Sequence, residues 1–194
     1  IDRGNQSRPS FGLPLLFCLG VIMKIFSFDQ ATITTGWSLF LTDCEHLDYS
    51  NCLIEYGTLH VHKRDDIPNW ILMAGEICQL IGKYHPNIVV IEDTIMQKST
   101  NTLKELTRLQ GTLIWYCFSK NIRIETIYPS QWRKIIALPV KHGMKRTELK
   151  TLAKNFVKNE CLVNCVTDDE SDAICIGVAY IKKYLQENKE IDYE

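Results

Sequence analysis

The run Ile88-Val89-Val90-Ile91 is the feature that most constrains the fold. It contains four consecutive apolar residues that favour strands, with His85-Pro86-Asn87 before it and Glu92 after it. A strand that is apolar at every position is buried on both faces, which requires helices on both sides of the sheet. The run therefore predicts an internal strand of an α/β domain.

The rest of the chain alternates between strand and helix patterns. Strand patterns cover residues 24–29, 36–41, 53–61 and 122–127, and the first two suggest a hairpin across a Thr-rich turn. Helical spacing covers residues 67–84, 101–119, a basic region from Pro129, and a last helix from the capping-box pattern at Thr167 to about Leu185. The order β-β-β-α-β-α-β-α-α predicts a mixed five-stranded sheet flanked by helices.

The length of 194 residues and the 45% apolar content suit a single domain with a sizeable core. We assign residues 23–188 to this domain and 189–194 to a C-terminal tail. The apolar run Leu13–Ile22 is too short to cross a membrane and has no small-residue cleavage pattern after it. Because Met23 opens a strand pattern directly, we interpret residues 1–22 as an extension upstream of the native start.

The charge distribution is local rather than global. The net charge is −1, from 22 Lys+Arg and 23 Asp+Glu, so the overall balance does not indicate a nucleic-acid partner. Between Pro129 and Lys158, however, eight basic residues face the single acid Glu148, which gives +7. Such a window suits phosphate binding, although a solvated helix face would have a similar composition.

The eight cysteines are scattered, and several lie inside apolar runs. This distribution is typical of reduced, buried thiols in a cytoplasmic protein. Cys161 and Cys165 have helical spacing, but no second Cys/His pair at ligand spacing accompanies them, which disfavours a zinc site.

Four acidic residues form the candidate catalytic constellation. Asp29 and Glu92 each end a predicted strand, and Asp169 and Asp172 lie three residues apart on one helix face. Each alone has an ordinary explanation, as a polar strand end or as a partner of the helix dipole. If the two strands are adjacent, all four carboxylates converge, and the combination carries the inference.

Converging carboxylates indicate a divalent cation. Hard cations such as Mg²⁺ take oxygen ligands, and without a cation clustered carboxylates repel one another. Two Mg²⁺ ions about 4 Å apart activate a water and stabilise the departing oxygen of a phosphodiester. The constellation therefore favours two-metal hydrolysis, with Mn²⁺ able to substitute.

Four runs in this order resemble the successive motifs of RuvC-like resolvases, especially phage-encoded ones, over about residues 23–185. They are FDQATITTGW (Phe28 to Trp37), VVIEDTIMQKST (Val89 to Thr100), YPSQWRK (Tyr128 to Lys134) and DDESDAICIG (Asp168 to Gly177). The resemblance implies a ribonuclease H-like fold and a homodimer that cuts four-way (Holliday) junctions in DNA recombination, repair or phage DNA processing. It also implies a cytoplasmic location, that of the host if a phage encodes the chain, and no membrane partner. We expect the dimer interface to be the helix from Asn101 to Ser119, which offers more apolar surface than one face against the sheet would bury, from Leu103, Leu106, Leu109, Leu113 and Trp115.

The resemblance also assigns roles to residues. Asp29, Glu92, Asp169 and Asp172 correspond to the family's four metal-binding acids, and Lys134 and Lys145 match two of its basic residues by their spacing. In the mechanism that we expect, Asp29 bridges the ions. We expect Lys145 to offset negative charge in the transition state and Trp132 to lie in the core. The expected phosphate-binding residues are Lys134, Arg133, Arg146, Lys141, Lys150 and Lys104.

Two departures from the family pattern concern DNA contacts. Where the family often has an aromatic residue that wedges into the junction, this chain has Ile95, on which bases stack less well. The glycine-rich loop of bacterial members is replaced by residues 138–143. We therefore expect junction opening or sequence preference to differ from the family pattern.

Two other functions stay open for this sequence, and a third is disfavoured. A ribonuclease H-like nuclease that acts on flaps or RNA–DNA hybrids would share the same metal chemistry, and a non-catalytic branched-DNA-binding protein would need only the basic window. A sugar-kinase or actin-like ATPase is disfavoured. Its phosphate hairpin would resemble Asp29 and Thr34-Thr35-Gly36, but the second domain and second glycine-rich loop that it needs are missing.

Overall fold

The computed structural model describes residues 22–43, 48–95 and 99–191, with side chains described through Tyr184. Within these residues the strands are β1 (Met23–Asp29), β2 (Thr34–Thr42), β3 (Leu53–His60), β4 (Ile88–Glu92) and β5 (Arg123–Ile127). They form one sheet in the order β3-β2-β1-β4-β5. The pairs β1/β2 and β2/β3 are antiparallel, and the pairs β1/β4 and β4/β5 are parallel.

The helices cover both faces of this sheet. They are α1 (Tyr49–Cys52), α2 (Asn69–Tyr84), α3 (Thr100–Ser119), α4 (Pro129–Ile135), α5 (Arg146–Glu160) and α6 (Asp168–Ile191). Helices α2 and α3 pack on one face, and α4, α5 and α6 pack on the other. Among the described helices, none has the length and apolar character that crossing a bilayer requires.

The apolar run that predicted an internal strand is β4, and it is buried on both faces. Ile88 and Val90 face the core under α4, α5 and α6, whereas Val89 and Ile91 face the core under α2 and α3. Alternation along the strand then directs Glu92 toward the α6 side. In β1, Ile25 faces the same side, so Asp29, four residues on, does so too.

Helix α6 lies unusually close to β1 and β2 because small residues line the contact. A Cβ atom at Gly177 would lie 2.3 Å from Phe40 Cε2 and 2.6 Å from Ser27 Oγ. The Ser27 and Ser38 hydroxyl oxygens lie 2.6 Å apart and 2.9 and 3.1 Å from the Ala173 carbonyl oxygen. One hydroxyl therefore donates to the other, and the second donates to this carbonyl. These buried hydroxyls satisfy one another and the helix backbone, so a polar contact is stable here.

Most predicted elements are present within one or two residues of their expected ends. The capping box is formed, since Glu170 N–H donates to Thr167 Oγ1 and Thr167 N–H donates to Glu170 Oε2, both at 3.1 Å. Helix α1 was not predicted. Helix α6 continues to Ile191 instead of ending near Leu185, because the following residues Gln186 to Glu190 include good helix formers.

Some predictions fall outside the described residues. The proposed extension 1–22 lies there apart from Ile22, and of the predicted tail 189–194 only residues 192–194 do. Six of the eight cysteines are described, and all six are free thiols: Cys52, Cys78, Cys117, Cys161, Cys165 and Cys175. Cys117, Cys161 and Cys175 are buried, as expected, whereas Cys52, Cys78 and Cys165 are half-buried. Burial raises the pKa of the Cys117 and Cys161 thiols to about 12.

We expect Gly177→Ala to destabilise the protein by about 1–3 kcal/mol, because the added methyl would overlap Phe40 and Ser27. Denaturant unfolding measures this change. Gly75→Ala is the matched control, since it also lies inside a helix but its Cβ would meet no atom within 4 Å. The control should stabilise by about 0.5–1 kcal/mol. Equal effects at both positions would contradict the close contact of α6.

Candidate active site

The four predicted acids line one cavity of about 520 Å³ at the edge of the sheet. Asp29 and Glu92 end β1 and β4, which are parallel neighbours, so both side chains leave the sheet at the same edge. The first turns of α6 supply Asp169 and Asp172. Gly36 pairs with Asp29 across the hairpin, and a Cβ there would lie 1.9 Å from the Asp169 carbonyl oxygen. A glycine is therefore required for α6 to reach Asp29.

Burial raises the pKa of the Asp29, Glu92 and Asp172 carboxyls. Burial is the largest cause that raises the pKa of Asp29 well above its usual range, and the charges of Glu92, Asp172 and Asp169 add to it, against the opposing effect of Lys150. Burial and Glu92 raise the pKa of Asp172 to about 6. A site in which several acids resist ionisation gains stability when a cation binds.

Glu92 is held in place by two hydrogen bonds. The Trp132 indole Nε1–H donates to Glu92 Oε1 at 2.7 Å, and the Gln30 side-chain amide donates to the Glu92 backbone carbonyl. Burial raises the pKa of Glu92, and the Trp132 hydrogen bond, Arg133 and Arg146 act against this rise. Trp132 is fully buried, in agreement with its assignment to the core, and it also positions an acid of the site.

Three of the predicted basic residues share the cavity with the acids. Arg133 comes from α4, Arg146 begins α5, and Lys150 lies one turn further along α5. Lys150 and Lys154 also form salt bridges with Asp168, at 2.8 and 2.9 Å. Lys150 therefore anchors the start of α6 as well as facing the acids.

The other predicted basic residues lie elsewhere. Lys134 is exposed and lines a separate cavity with Glu125 and Gln131 near β5. Lys145, the residue before α5, is exposed, and so are Lys141 and Lys104. Lys134 and Lys145 thus do not line the acid cavity, whereas Arg133 and Arg146, each next to one of them in sequence, do.

The donor set suits hard divalent cations, because carboxylate oxygens are the ligands that Mg²⁺ prefers. Among the residues that the structure describes, no group of three or more His, Cys, Asp or Glu side chains is positioned to hold an ion. Asp29, Glu92, Asp169 and Asp172 line one cavity and are the residues that would hold a metal there.

Sequence reasoning missed the residues that position the acids. Trp132 and Gln30 hold Glu92, and Gly36 admits α6. Gln30 directly follows the candidate ligand Asp29, and this position beside a predicted acid was the signal that could have identified it. The indole contact of Trp132 joins residues 40 positions apart and left no signal in the sequence.

The sequence is similar to RuvC crossover junction endodeoxyribonucleases over most of its length. It is 24% identical over 165 residues to the protein of Rickettsia typhi, covering 84% of this chain and all of that one. It is 27% identical over 163 residues to the protein of Caldicellulosiruptor saccharolyticus, covering 82% and 92%. No protein-family model matches the chain. The predicted resemblance to RuvC-like resolvases is therefore confirmed.

Solved structures agree with the predicted fold. The structure of Thermus thermophilus RuvC matches with a TM-score of 0.66 at 11% identity, covering 85% of this chain and 97% of that one. The fowlpox virus resolvase, solved with Holliday junction DNA, matches with a TM-score of 0.54 at 15% identity, covering 84% and 99%. The chain therefore has a ribonuclease H-like fold.

In the absence of divalent cations, we expect Asp172→Asn to stabilise the protein at pH 8 but not at pH 4. The unfolded carboxyl ionises near 3.8 and the folded one at about 6, so wild-type stability from this group is lost as the pH rises through that window. The gain at pH 8 is at most about 3 kcal/mol. Thermal melts in chelator at both pH values measure it.

Asp168→Asn is the matched control on the same helix, and its effect should have the opposite sign. Hydrogen bonds from Lys150 and Lys154 lower the pKa of Asp168, so ionised Asp168 stabilises the fold. This substitution should reduce the stability of the protein at pH 8. Its effect should disappear as the pH falls below the usual pKa of an aspartate, because Asp168 then becomes protonated. Stabilisation by both substitutions at pH 8 would contradict the assigned electrostatics.

Proposed function

We propose that this chain is a structure-selective endodeoxyribonuclease that resolves four-way (Holliday) DNA junctions by hydrolysis dependent on divalent metal ions. The observation that carries the proposal is the meeting of Asp29, Glu92, Asp169 and Asp172 in one cavity, from three elements far apart in sequence. The similarity to RuvC crossover junction endodeoxyribonucleases supports the substrate.

The acids would hold two Mg²⁺ ions, with Mn²⁺ able to substitute. Such ions, when bound, lower the pKa of a water and stabilise the leaving oxygen of a phosphodiester. Asp29 is central to this arrangement, since the charges of the other three acids all act on it. Trp132 fixes the orientation of the Glu92 carboxylate, which keeps one ligand in place before substrate arrives.

The basic residues would orient the DNA backbone. Arg133 and Arg146 face the acids, so they would hold the phosphate that is cut and offset its developing negative charge. Lys145 precedes Arg146 and is exposed, which suits a contact with a neighbouring phosphate. Three further lysines are exposed outside the cavity: Lys134, Lys141 and Lys104. They would contact more distant phosphates, which fixes the position of the protein along the DNA but does not recognise its base sequence.

A nuclease that acts on flaps or on RNA–DNA hybrids would use the same acids, and a branched-DNA-binding protein would use the same cations without cutting. End-labelled four-way junction, flap, duplex and hybrid substrates, each incubated with Mg²⁺, separate these candidates. The proposal requires the junction to be cut fastest. Faster cutting of flaps or hybrids, or binding without cutting, would replace it with the corresponding alternative.

We expect Asp29→Asn, Glu92→Gln and Asp172→Asn each to reduce junction cleavage by several orders of magnitude while binding stays near normal. The acids would hold metal, whereas the cations hold phosphate. Cleavage of labelled junctions and gel-shift binding measure the two effects separately. Ca²⁺ should support binding with little cutting, because its longer and looser coordination places the attacking water poorly.

Asp65→Asn serves as the matched control, because Asp65 is exposed in the segment between β3 and α2 and lines a different cavity. This control should cut at the wild-type rate. Full activity in any one of the three cavity variants would remove that residue from the metal site.

We further propose that the protein acts as a homodimer, since a two-fold dimer places one active site on each of two opposed strands of a junction. The sequence predicted α3 as the interface, with Leu103, Leu106, Leu109, Leu113 and Trp115. Leu109 and Leu113 are instead buried against α2 and the sheet. The apolar side chains that α3 exposes are Ile114, Trp115 and Phe118, of which Trp115 and Phe118 are 67% and 71% exposed.

We expect Trp115→Glu combined with Phe118→Glu to convert the dimer to a monomer and to change the product formed from a supercoiled plasmid that extrudes a cruciform. Paired cuts by a dimer give linear DNA, whereas a single cut relaxes the plasmid and reabsorbs the cruciform. The wild type should give mostly linear product and the double variant mostly nicked circles. Light scattering reports the mass of each protein.

Ile54→Glu is the matched control, because Ile54 is an exposed apolar residue on the edge strand β3, away from α3. This substitution should leave both the mass of the protein in solution and the plasmid product unchanged. Nicked circles as the main product of the wild type, together with a monomeric mass on the junction, would contradict the dimer and favour a nuclease with another substrate.

A further inference from the structure

Two lysines of α5 share one carboxylate at the start of α6. Lys150 Nζ lies 2.8 Å from Asp168 Oδ2, and Lys154 Nζ lies 2.9 Å from Asp168 Oδ1. The two lysines are one turn apart on the same helix and carry the same charge. They differ in one respect, since Lys150 lines the acid cavity and Lys154 does not. Both lysines therefore anchor α6, but Lys150 also reaches the site.

The positive charges around the acids lie beside different strands. Burial raises the pKa of Glu92, at the end of β4, and the charges of Arg133 and Arg146 oppose this rise. Burial also raises the pKa of Asp29, at the end of β1, and there Lys150 supplies an opposing positive charge. The ammonium of Lys150 is therefore close to the β1 acid, whereas the two guanidinium groups are close to the β4 acid.

Asp168 holds the ammonium of Lys150 without cancelling its charge. One carboxylate pairs with two ammonium groups, so the cluster of Lys150, Asp168 and Lys154 keeps an excess of positive charge. An ammonium has three hydrogen-bond donors, and the contact with Asp168 Oδ2 uses one of them. Lys150 therefore retains both charge and donors for a group that enters the cavity.

A phosphate oxygen is the group that suits this ammonium. A phosphodiester that approaches metal ions on the cavity acids brings its negative oxygens next to Lys150. Negative charge on the phosphate grows during hydrolysis, and a cation that is already in place stabilises it without having to reorganise. A free lysine side chain loses rotamer freedom when it binds a ligand, whereas Asp168 already restricts Lys150 in the folded protein.

We propose that Lys150 is a catalytic residue that contacts the phosphate that is cut and offsets its developing negative charge, and that Asp168 is the positioning residue that holds the ammonium in place. Both roles rest on the proposed nuclease function and deepen it. Spacing assigned this charge to Lys145, whose side chain is exposed and outside the cavity lining. Lys150 takes that role from within the cavity.

The test compares Lys150→Gln with Lys154→Gln in single-turnover cleavage of a labelled junction by saturating protein in Mg²⁺. Each substitution removes one positive charge and one contact with Asp168. Lys150→Gln should slow cutting by about 100-fold, while its affinity for the junction in Ca²⁺ falls by less than about tenfold. Lys154→Gln should cut within about threefold of the wild-type rate, because an exposed salt bridge contributes little.

Two further variants separate catalysis from anchoring. Lys150→Arg keeps the charge beside Asp168, so it should cut faster than Lys150→Gln. Asp168→Asn leaves Lys150 charged but no longer held, and should slow cutting by about tenfold at saturation. Thermal melts show which variants are folded under the assay conditions. If Lys150 only anchored α6, Lys150→Gln and Lys154→Gln would slow cutting alike, and this result would overturn the proposal.

Acetylation of lysines in the wild-type protein tests the phosphate contact without cutting. The side chains of Lys150 and Lys154 are 23% and 37% exposed, so a small amine-acetylating reagent reaches both. Mass spectrometry compares their acetylation in Ca²⁺ with and without bound junction. Bound junction should reduce the acetylation of Lys150 several-fold. Unchanged acetylation of Lys150 on bound junction would overturn the contact, even where the wild type cuts.

The outcomes for Lys150 are distinct from those that decide the proposed function. If the wild type cuts flaps or hybrids faster than junctions, the same lysine comparison is made on that substrate. If it cuts none of them, the nuclease proposal fails and the catalytic role of Lys150 fails with it. Cutting by the wild type with equal rates for Lys150→Gln and Lys154→Gln leaves the nuclease proposal standing and overturns the role of Lys150 alone.

Discussion

The close contact between α6 and the β1–β2 hairpin is the constraint on which the active site depends. Gly177, Ser27 and Ser38 let the helix approach the sheet, and the two hydroxyls satisfy each other and the Ala173 carbonyl. Gly36 admits the first turn of the helix beside Asp29. A larger residue at Gly36 or Gly177 would push the helix outward and move Asp169 and Asp172 away from the acids of the sheet.

This arrangement concentrates repulsion at one point, and the surrounding fold offsets it. Burial and neighbouring charges raise the pKa values of Asp29 and Asp172, so the site alone is unfavourable at neutral pH. Lys150 acts against this for both acids and binds Asp168 at the same time. The capping box at Thr167 fixes where α6 begins. Contacts next to the site thus stabilise the fold, and a bound cation would relieve the repulsion within the site.

The sequence predicted what depends on local patterns. The alternation of strand and helix signals and the apolar run at Ile88 predicted the order of strands and helices along the chain, and strand ends located Asp29 and Glu92. Contacts between distant side chains were not predictable in this way. The indole of Trp132 on Glu92 and the pairing of Lys150 with Asp168 depend on how α4 and α5 pack against α6. Spacing selected Lys134 and Lys145, whereas packing directs Arg133 and Arg146 into the cavity.

The uneven distribution of charge around the acids bears on the shape of the substrate under the proposed function. In a regular duplex a phosphate follows every nucleotide, so a strand running straight through the cavity would present phosphates to both sides of the acids. Only Arg133, Arg146 and Lys150 from α4 and α5 neutralise them, because the other lining residues include Asp93 and contain no Lys or Arg. A strand whose backbone turns away after the phosphate that is cut avoids placing the next phosphate beside these acids. Strands turn in this way at a branch point, so the cavity would favour branched over continuous DNA through the distribution of charge around its acids.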